Sequence, residues 1–345
     1  MIANETGRAQ TDKAEPVVSV IVPARNEEAS LGACLESLIS QAGVEFEIIV
    51  VDDHSADRTR EIASSFAGVR VIEAGPLPDG WTGKNNAMVT GVREARGEWL
   101  LFTDADTFHL PGSLARALTE AREYGVDLLS YSPEQIARSF WEMAVLPVVF
   151  AELAREYPPS KVSDPKSGAA AANGQYILVK REAYDAVGGH EAIAGEILED
   201  VALARAFKAA GRKIRFRYAA DAVRTRMYRN WAQLRDGWTK NLALLFPRPV
   251  PLAAKMLLLW MIPVMFLFLA AHRDSTSLYG AFVVAEVYLW TRIGRANFGR
   301  YQNYLGALFG MPMFAYLLLR SRHALAKGKI LWKGRTYSEK LATGH

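Results

Sequence analysis

The chain has 345 residues, of which half are apolar, 10% aromatic and 23% charged, with a formal net charge of +4. That composition excludes a disordered chain, and the single cysteine, Cys34, excludes a disulfide framework and a cysteine-based zinc site. The mean hydropathy of +0.01 is high for so charged a chain, so the apolar residues must be concentrated in one part of it.

Residues 1–15 are polar, lack the apolar core of a signal peptide and read as a disordered N-terminus. The domain that follows is expected to stay in the compartment where it is made. From there, residues 17–23 (VVSVIVP), 46–51, 69–72 and 98–103 predict strands, three of them too uniformly apolar for a sheet with one wet face. Between them, residues 27–41, 57–67 and 85–95 carry helical spacing, with Asp57 and Asn85 as N-caps. This rhythm predicts an α/β fold with a parallel sheet covered on both sides. Residues 136–156 are apolar in the middle, charged at the ends and interrupted by Pro147. Such a segment either lies in a membrane interface or packs on the domain.

The apolar excess lies near the C-terminus. Residues 252–271 carry one charge, Lys255, and match the length a helix needs to cross ~30 Å of hydrocarbon. Residues 276–291 carry only Glu286, and residues 305–319 carry no charge. The expected organisation is a soluble domain over 16–248, a membrane region over 249–321 and a basic tail over 322–345. The spans fall at about 252–271 and 276–294, and a third segment at 304–320, interrupted by Gly310 and Pro312, either re-enters or crosses; for the second and third segments a buried soluble helix is the alternative. Before the first span, Arg224, Arg226, Arg229, Arg235, Lys240 and Arg248 face the single acid Asp236. The positive-inside rule then predicts a multi-pass protein of the cell (inner) membrane with the soluble domain cytoplasmic. Two crossings also keep the basic tail on that side. The positive charge points to anionic lipid headgroups, and no nucleic-acid-binding module is present.

In an open parallel sheet, ligands bind beyond the carboxyl ends of the strands. Those positions read Ala24-Arg25-Asn26-Glu27, Asp52-Asp53-His54-Ser55 and Asp104-Ala105-Asp106. Like charges gathered there cost free energy unless a cation or ligand compensates them. Asp52 alone could equally be a cap. Asp104 and Asp106 can hold one hard divalent ion that also takes phosphate oxygens, at the place where a nucleotide diphosphate would lie.

Six motifs now carry a resemblance: VSVIVPARNEE at 18–28, IIVVDDHSADRT at 48–59, GWTGKNNAM at 80–88, LLFTDADT at 100–107, GQYILVKREAYDAVGG at 174–189 and LEDVALARAFKAAGRKI at 198–214. In this order the chain resembles a family 2 glycosyltransferase with a GT-A nucleotide-diphospho-sugar domain, over roughly residues 17–245. The resemblance implies a Rossmann-like mixed sheet. The membrane tail and GWTGKNNA narrow it toward members similar to hopanoid- and carotenoid-associated or ceramide-type lipid transferases.

Carried onto this sequence, the resemblance implies that Pro23, Arg25 and Glu27 line the nucleoside pocket, while Asp53 takes the base or ribose. Lys84 would approach the diphosphate, Asp104 the nucleotide-sugar, and Asp106 would ligate Mg2+ or Mn2+. Asp200, in the matching Glu199-Asp200 pair, would be the base that takes the acceptor proton. A helix-start acid is the alternative for Asp200, and Glu196 is the fallback base. His54 and His190 read as hydrogen-bonding residues. The sequence departs from the Q-x-x-R-W pattern of processive and ceramide-type enzymes: it has Gln233, Arg235 and then Gly237 directly before Trp238. Extended polymer synthesis is therefore disfavoured, and Trp238 either borders the acceptor site or simply packs. The expected enzyme is a metal-dependent inverting transferase moving one sugar from a UDP-sugar to a lipid hydroxyl or carboxyl. Rival readings are a nucleotidyltransferase, which would need a Gly-rich, Lys-bearing loop where residues 24–27 stand, and a non-catalytic nucleotide-sugar-binding scaffold. A transferase for polysaccharide or polyprenyl phosphate is a further alternative.

Overall fold

The computed structural model describes residues 16–273, 275–294, 298–328, 330–332 and 335–337; the expected disorder at 1–15 and the last part of the basic tail lie outside them. The first strands are β1 (Val18–Ala24), β2 (Phe46–Asp52), β3 (Val69–Glu73), β4 (Trp99–Phe102), β5 (Thr107–His109) and β6 (Leu128–Ser132). They are followed by β7 (Glu134–Gln135), β8 (Ile177–Lys180), β9 (Ile214–Tyr218), β10 (Val223–Thr225), β11 (Ile330–Trp332) and β12 (Arg335–Tyr337). The helices of the first half are α1 (Leu31–Ile39), α2 (Thr59–Ser64), α3 (Gly83–Glu94), α4 (Ser113–Glu123), α5 (Phe140–Glu156) and α6 (Pro159–Ser163). Next come α7 (Arg181–Ala186), α8 (Glu199–Ala209), α9 (Trp231–Leu245), α10 (Pro249–Arg273), α11 (Thr276–Gly294), α12 (Arg300–Leu305) and α13 (Met311–Ala326).

The central sheet has the order β3-β2-β1-β4-β8-β6-β9. Its first four strands are mutually parallel, as the βαβ rhythm predicts. β8 runs antiparallel to both neighbours, which makes the sheet mixed. Both faces are covered. Val18, Val20 and Val22 of β1 pack with Leu31 and Leu35 of α1, whereas Ile21 and Val51 pack with Met88 of α3 and, further along, Phe207 of α8. Each such side chain contributes roughly 1.5–3 kcal/mol by leaving water, which is why the strands read as continuous apolar runs. Asn85 is not the cap expected of it: Thr82 caps α3, accepting from the Asn85 N–H at 3.2 Å. The Asn85 amide instead donates to the carbonyls of Ile193, Ala194 and Glu196.

A third core joins α5 and α9 to the C-terminal helices. α5 opens with a capping box between Ser139 and Glu142, and Val145, Leu146, Val148 and Val149 are buried. Of its two expected roles, α5 takes the packed one, leaving Phe140 and Trp141 exposed at its start. α10 is long and apolar enough to cross a membrane and only 17% of its apolar stretch is buried. α11 returns toward the domain, where the Arg292 guanidinium lies 2.5 Å from the buried Glu152 carboxylate of α5.

The third apolar segment, expected either to re-enter or to cross, is helical through Gly310 and Pro312. Residues 301–326 form one helical run through a π-helical turn at Gly306–Gly310; like α10 it is long and apolar enough to cross a membrane, with 56% of its apolar stretch buried. α13 lies along α9: Phe314 packs on Phe246 at 5.7 Å, and Ser321 Oγ accepts from the Ala243 N–H at 2.8 Å. The run approaches α5 so closely that a Cβ at Gly310 would overlap the Ala144 carbonyl. Its interruption by glycine serves packing, not reversal of the chain.

Candidate active site

Parallel register sets Ala24 beside Asp52 and Ile21 beside Phe102, so the chain leaves β1, β2 and β4 along one edge. The turns there are tight: Asn26 and His54 have φ of 53° and 54°, a left-handed conformation that short polar side chains tolerate best. Asn26 stitches the two loops, its Oδ1 accepting from Ala56 N at 2.8 Å and its N–H donating to Ser55 Oγ at 3.0 Å. Asp52 Oδ1 accepts from Ser55 N at 3.3 Å and so caps the turn. Asp53 faces the crevice instead. Because β8 runs the opposite way, the residues entering it, Asn173, Gly174 and Gln175, reach this same edge.

All eight residues expected at the site line one cavity of about 750 Å³. At one end Pro23, Arg25, Glu27 and Asp53 lie together. Arg25 Nη1 donates to the Asp53 carbonyl at 2.6 Å and lies 3.9 Å from its carboxylate. Glu27 accepts from Ser30 Oγ at 2.7 Å. Lys84, Asp104 and Asp106 line the cavity as well, with Asp200 at the start of α8 beside Lys84 and Glu199.

Lys84 does not simply await an anion. Its Nζ is 2.7 Å from Asp104 and 2.6 Å from Glu199. Burial alone would lower its pKa, but the two carboxylates outweigh that and hold it well above the ordinary lysine range. Lys84 in turn holds Glu199 below the usual carboxylate range against burial. Asp200, next in sequence, behaves oppositely. Burial first, and the Glu199 charge second, push its carboxyl up to about 6, although Gly174 N–H and Val201 N–H donate to it at 3.0 and 2.8 Å. Two adjacent acids are thereby driven apart, one fixed as an anion and one poised near neutrality. Gly174 leaves the space between them open, since a Cβ there would come within 3.1 Å of Lys84 Nζ and 3.2 Å of Glu199.

Among the described residues no three His, Cys, Asp or Glu side chains cluster as a metal-ligand set. Asp104 and Asp106 nevertheless offer an all-oxygen pair of the kind a hard divalent ion takes, with phosphate oxygens and water completing the shell. The remaining sequence candidates fall elsewhere. The Glu196 side chain is outside the cavity lining. His190 is buried, hydrogen-bonded to Tyr184 at 2.9 Å, and burial pushes its pKa down to about 3. His54 pairs with Glu73 at 3.1 Å.

The cavity lining also includes the apolar residues Phe150, Leu153, Met227, Tyr228 and Trp238. Trp238 both borders it and packs, with Phe150 at 6.1 Å and Tyr228 at 5.9 Å. The glycine before it has a reason: a Cβ at Gly237 would overlap the Tyr228 ring. Four lining cations, Arg226, Arg229, Lys240 and Arg335, were not legible as site residues. Lys240 was read only as part of a basic stretch, yet burial draws its pKa below the usual lysine value although the carboxylates around it pull the other way. Arg335 belongs to β12 and pairs with Asp53.

The mixed sheet with its acidic carboxyl edge is the GT-A glycosyltransferase fold. Residues 19–187 match the model of Glycosyl transferase family 2, so the chain carries a family 2 glycosyltransferase domain. Proteins from Staphylococcus aureus strains described as 4,4'-diaponeurosporenoate glycosyltransferase are 29% identical over 340 residues, covering 93% of this chain and 88% of theirs. Among solved structures, a mannosyltransferase from Pyrobaculum calidifontis in complex with GDP-Man and Mn2+ shares 18% identity over 90% of this chain and 87% of its own, with a TM-score of 0.48. Glucosyl-3-phosphoglycerate synthase from Mycobacterium tuberculosis shares 22% identity over 63% of this chain and 73% of its own, with a TM-score of 0.41.

Proposed function

We propose that the protein is a membrane-bound inverting glycosyltransferase that moves one sugar from a nucleotide-diphospho-sugar, with UDP the expected nucleotide, to a lipid. The single observation that carries this reading is that the half-buried Asp200 carboxyl, drawn toward neutrality, lines a cavity that holds both charged and apolar residues. A base is most effective when its pKa lies near the working pH.

In this reading Pro23, Arg25, Glu27 and Asp53 hold the nucleoside, and the sugar extends toward Asp104. Asp104 and Asp106 would hold Mg2+ or Mn2+, which as a Lewis acid offsets charge building on the departing diphosphate. Asp200 accepts the proton of an acceptor hydroxyl, or orients an already ionised carboxylate, as the acceptor oxygen forms its bond to the anomeric carbon and the nucleoside diphosphate leaves. Lys84 keeps Glu199 and Asp104 fixed, so that Asp200 is the acid free to change charge. The apolar wall of Phe150, Met227 and Trp238 suits an acceptor with a long hydrocarbon body. The relatives' description, which names 4,4'-diaponeurosporenoate as what they glycosylate, supports the same class.

α10 and α11 are read as a pair of crossings with the domain on the cytoplasmic face, and α12–α13 as a helix lying against the domain. An even number of crossings keeps Arg320, Arg322 and Lys327 on the side of the basic stretch before α10, as charge distribution requires. The exposed rings of Phe140, Trp141 and Phe309, with Phe140 and Phe309 5.5 Å apart, suit the headgroup level. The test is nucleoside-diphosphate release by the full chain in lipid nanodiscs, with UDP-glucose and GDP-mannose each offered alongside a long-chain carboxylic acid or alcohol. Release that requires both a divalent ion and the lipid supports the reading; release that is indifferent to every lipid overturns it.

A further inference from the structure

Arg335 and Asp53 are separated by 282 residues and form a two-pronged ion pair, with Nη1 at 2.5 Å and Nη2 at 2.9 Å from the two carboxylate oxygens. The pair lies at the nucleoside end of the cavity, and Arg335 is one of its lining residues. β11, paired antiparallel with β12, packs on α9 and brings the arginine there.

Two features mark the spot as one for an anion. The guanidinium sits over Gly83, the first residue of α3, where any side chain would overlap it. The amino end of a helix of this length carries unpaired amide N–H groups and a partial positive charge. In addition, acidic side chains outnumber basic ones in the cavity lining, so an anionic donor needs every cation the walls supply. Gly83 is followed directly by Lys84, whose Nζ lies 2.7 Å from Asp104, so this helix end adjoins the Asp104 side of the cavity. A guanidinium carries five N–H donors in a rigid fork and can hold a carboxylate and a phosphate together.

Resting on the donor reading above, we propose that Arg335 is a donor-binding residue: the β11–β12 pair closes the nucleotide end of the cavity, and the guanidinium, positioned by Asp53, binds the diphosphate. The nucleotide site of this enzyme is therefore built from both ends of the chain.

The experiment is calorimetric titration of the full chain in detergent with UDP, GDP and the parent nucleosides, comparing wild type with Arg335→Ala and Arg335→Lys, with melting temperatures as a folding control. Arg335→Ala should weaken the diphosphate tenfold or more while changing the nucleoside less than about threefold, the difference expected when a charge-assisted contact is removed. Arg335→Lys should fall between, since it keeps the charge and loses the fork. Equal loss for nucleoside and diphosphate would reduce Arg335 to a prop for Asp53, and unchanged binding would remove it from the site. Tighter diphosphate binding by Arg335→Ala would make the β11–β12 pair a competitor of the donor; each of these three overturns the proposal. If wild type binds neither diphosphate, the donor reading fails and takes this inference with it.

Discussion

The Lys84 ammonium joins Asp104, at the end of β4, to Glu199, at the start of α8, at 2.7 and 2.6 Å. One cation thus connects the proposed metal-binding edge of the sheet to the helix that carries the proposed base. Replacing it should leave Glu199 and Asp104 as uncompensated neighbours of Asp200. Lys84→Met is expected to lower turnover by at least an order of magnitude and to move the acidic limb of the pH–rate profile to higher pH, because a lost cation raises a carboxyl's pKa. A profile that drops in height without moving would show that Lys84 acts on the donor alone.

Asp200→Asn should reduce the rate by ~10²–10⁴, the usual contribution of a positioned base, while UDP and GDP bind as in wild type. In wild type, activity should rise as pH increases through about 6, where Asp200 ionises. Stability runs the other way. The folded carboxyl holds its proton more firmly than an unfolded one, whose pKa is about 3.9, so its contribution is full below that value and is lost as pH rises through the folded pKa. At pH 7.5 the Asn variant should consequently melt higher than wild type. A variant that is both active and less stable would place the base elsewhere.

Chelation tests the carboxylate pair. EDTA should abolish lipid glycosylation, and Asp106→Asn should lower it about a hundredfold or more, in line with the several kcal/mol a Lewis acid contributes to charge stabilisation. Full activity in chelator would dispose of the metal-dependent mechanism.

Gly237 tests the apolar part of the lining. Adding one methyl group should push the Tyr228 ring off α9, at a cost of about 1–3 kcal/mol for overpacking. Gly237→Ala is expected to raise the KM for the lipid several-fold and leave the diphosphate affinity unchanged. If both constants move together, the wall does not belong to the acceptor alone.

The acidic edge was legible in the sequence because Arg25, Asp53, Asp104 and Asp106 each follow an apolar strand whose direction the βαβ rhythm fixes. Asp200 was reached through its motif. What escaped depends on how distant elements pack. β8 reads like any other apolar strand, and nothing local says that it runs antiparallel and so delivers Gly174 to the site. Lys240 sits in a helix whose inward face is set by α13, and Arg335 arrives on a two-strand pair from the tail. The third apolar run stayed open for a related reason: hydropathy reports apolar surface but not whether lipid or protein covers it, and here α5, α9 and α10 pack against part of it.

The pairing of Asp53 with Arg335 also sets an order of events during synthesis. The sheet edge that presents Asp53 can form once the first half of the chain has emerged, but its partner is made only after α10 and α11. A ribosome-bound intermediate would hold a folded sheet with an open nucleotide end. On the proposed reading, the donor pocket would be completed last, after α10 and α11 have been made, so that sugar transfer would wait until the apolar helices exist.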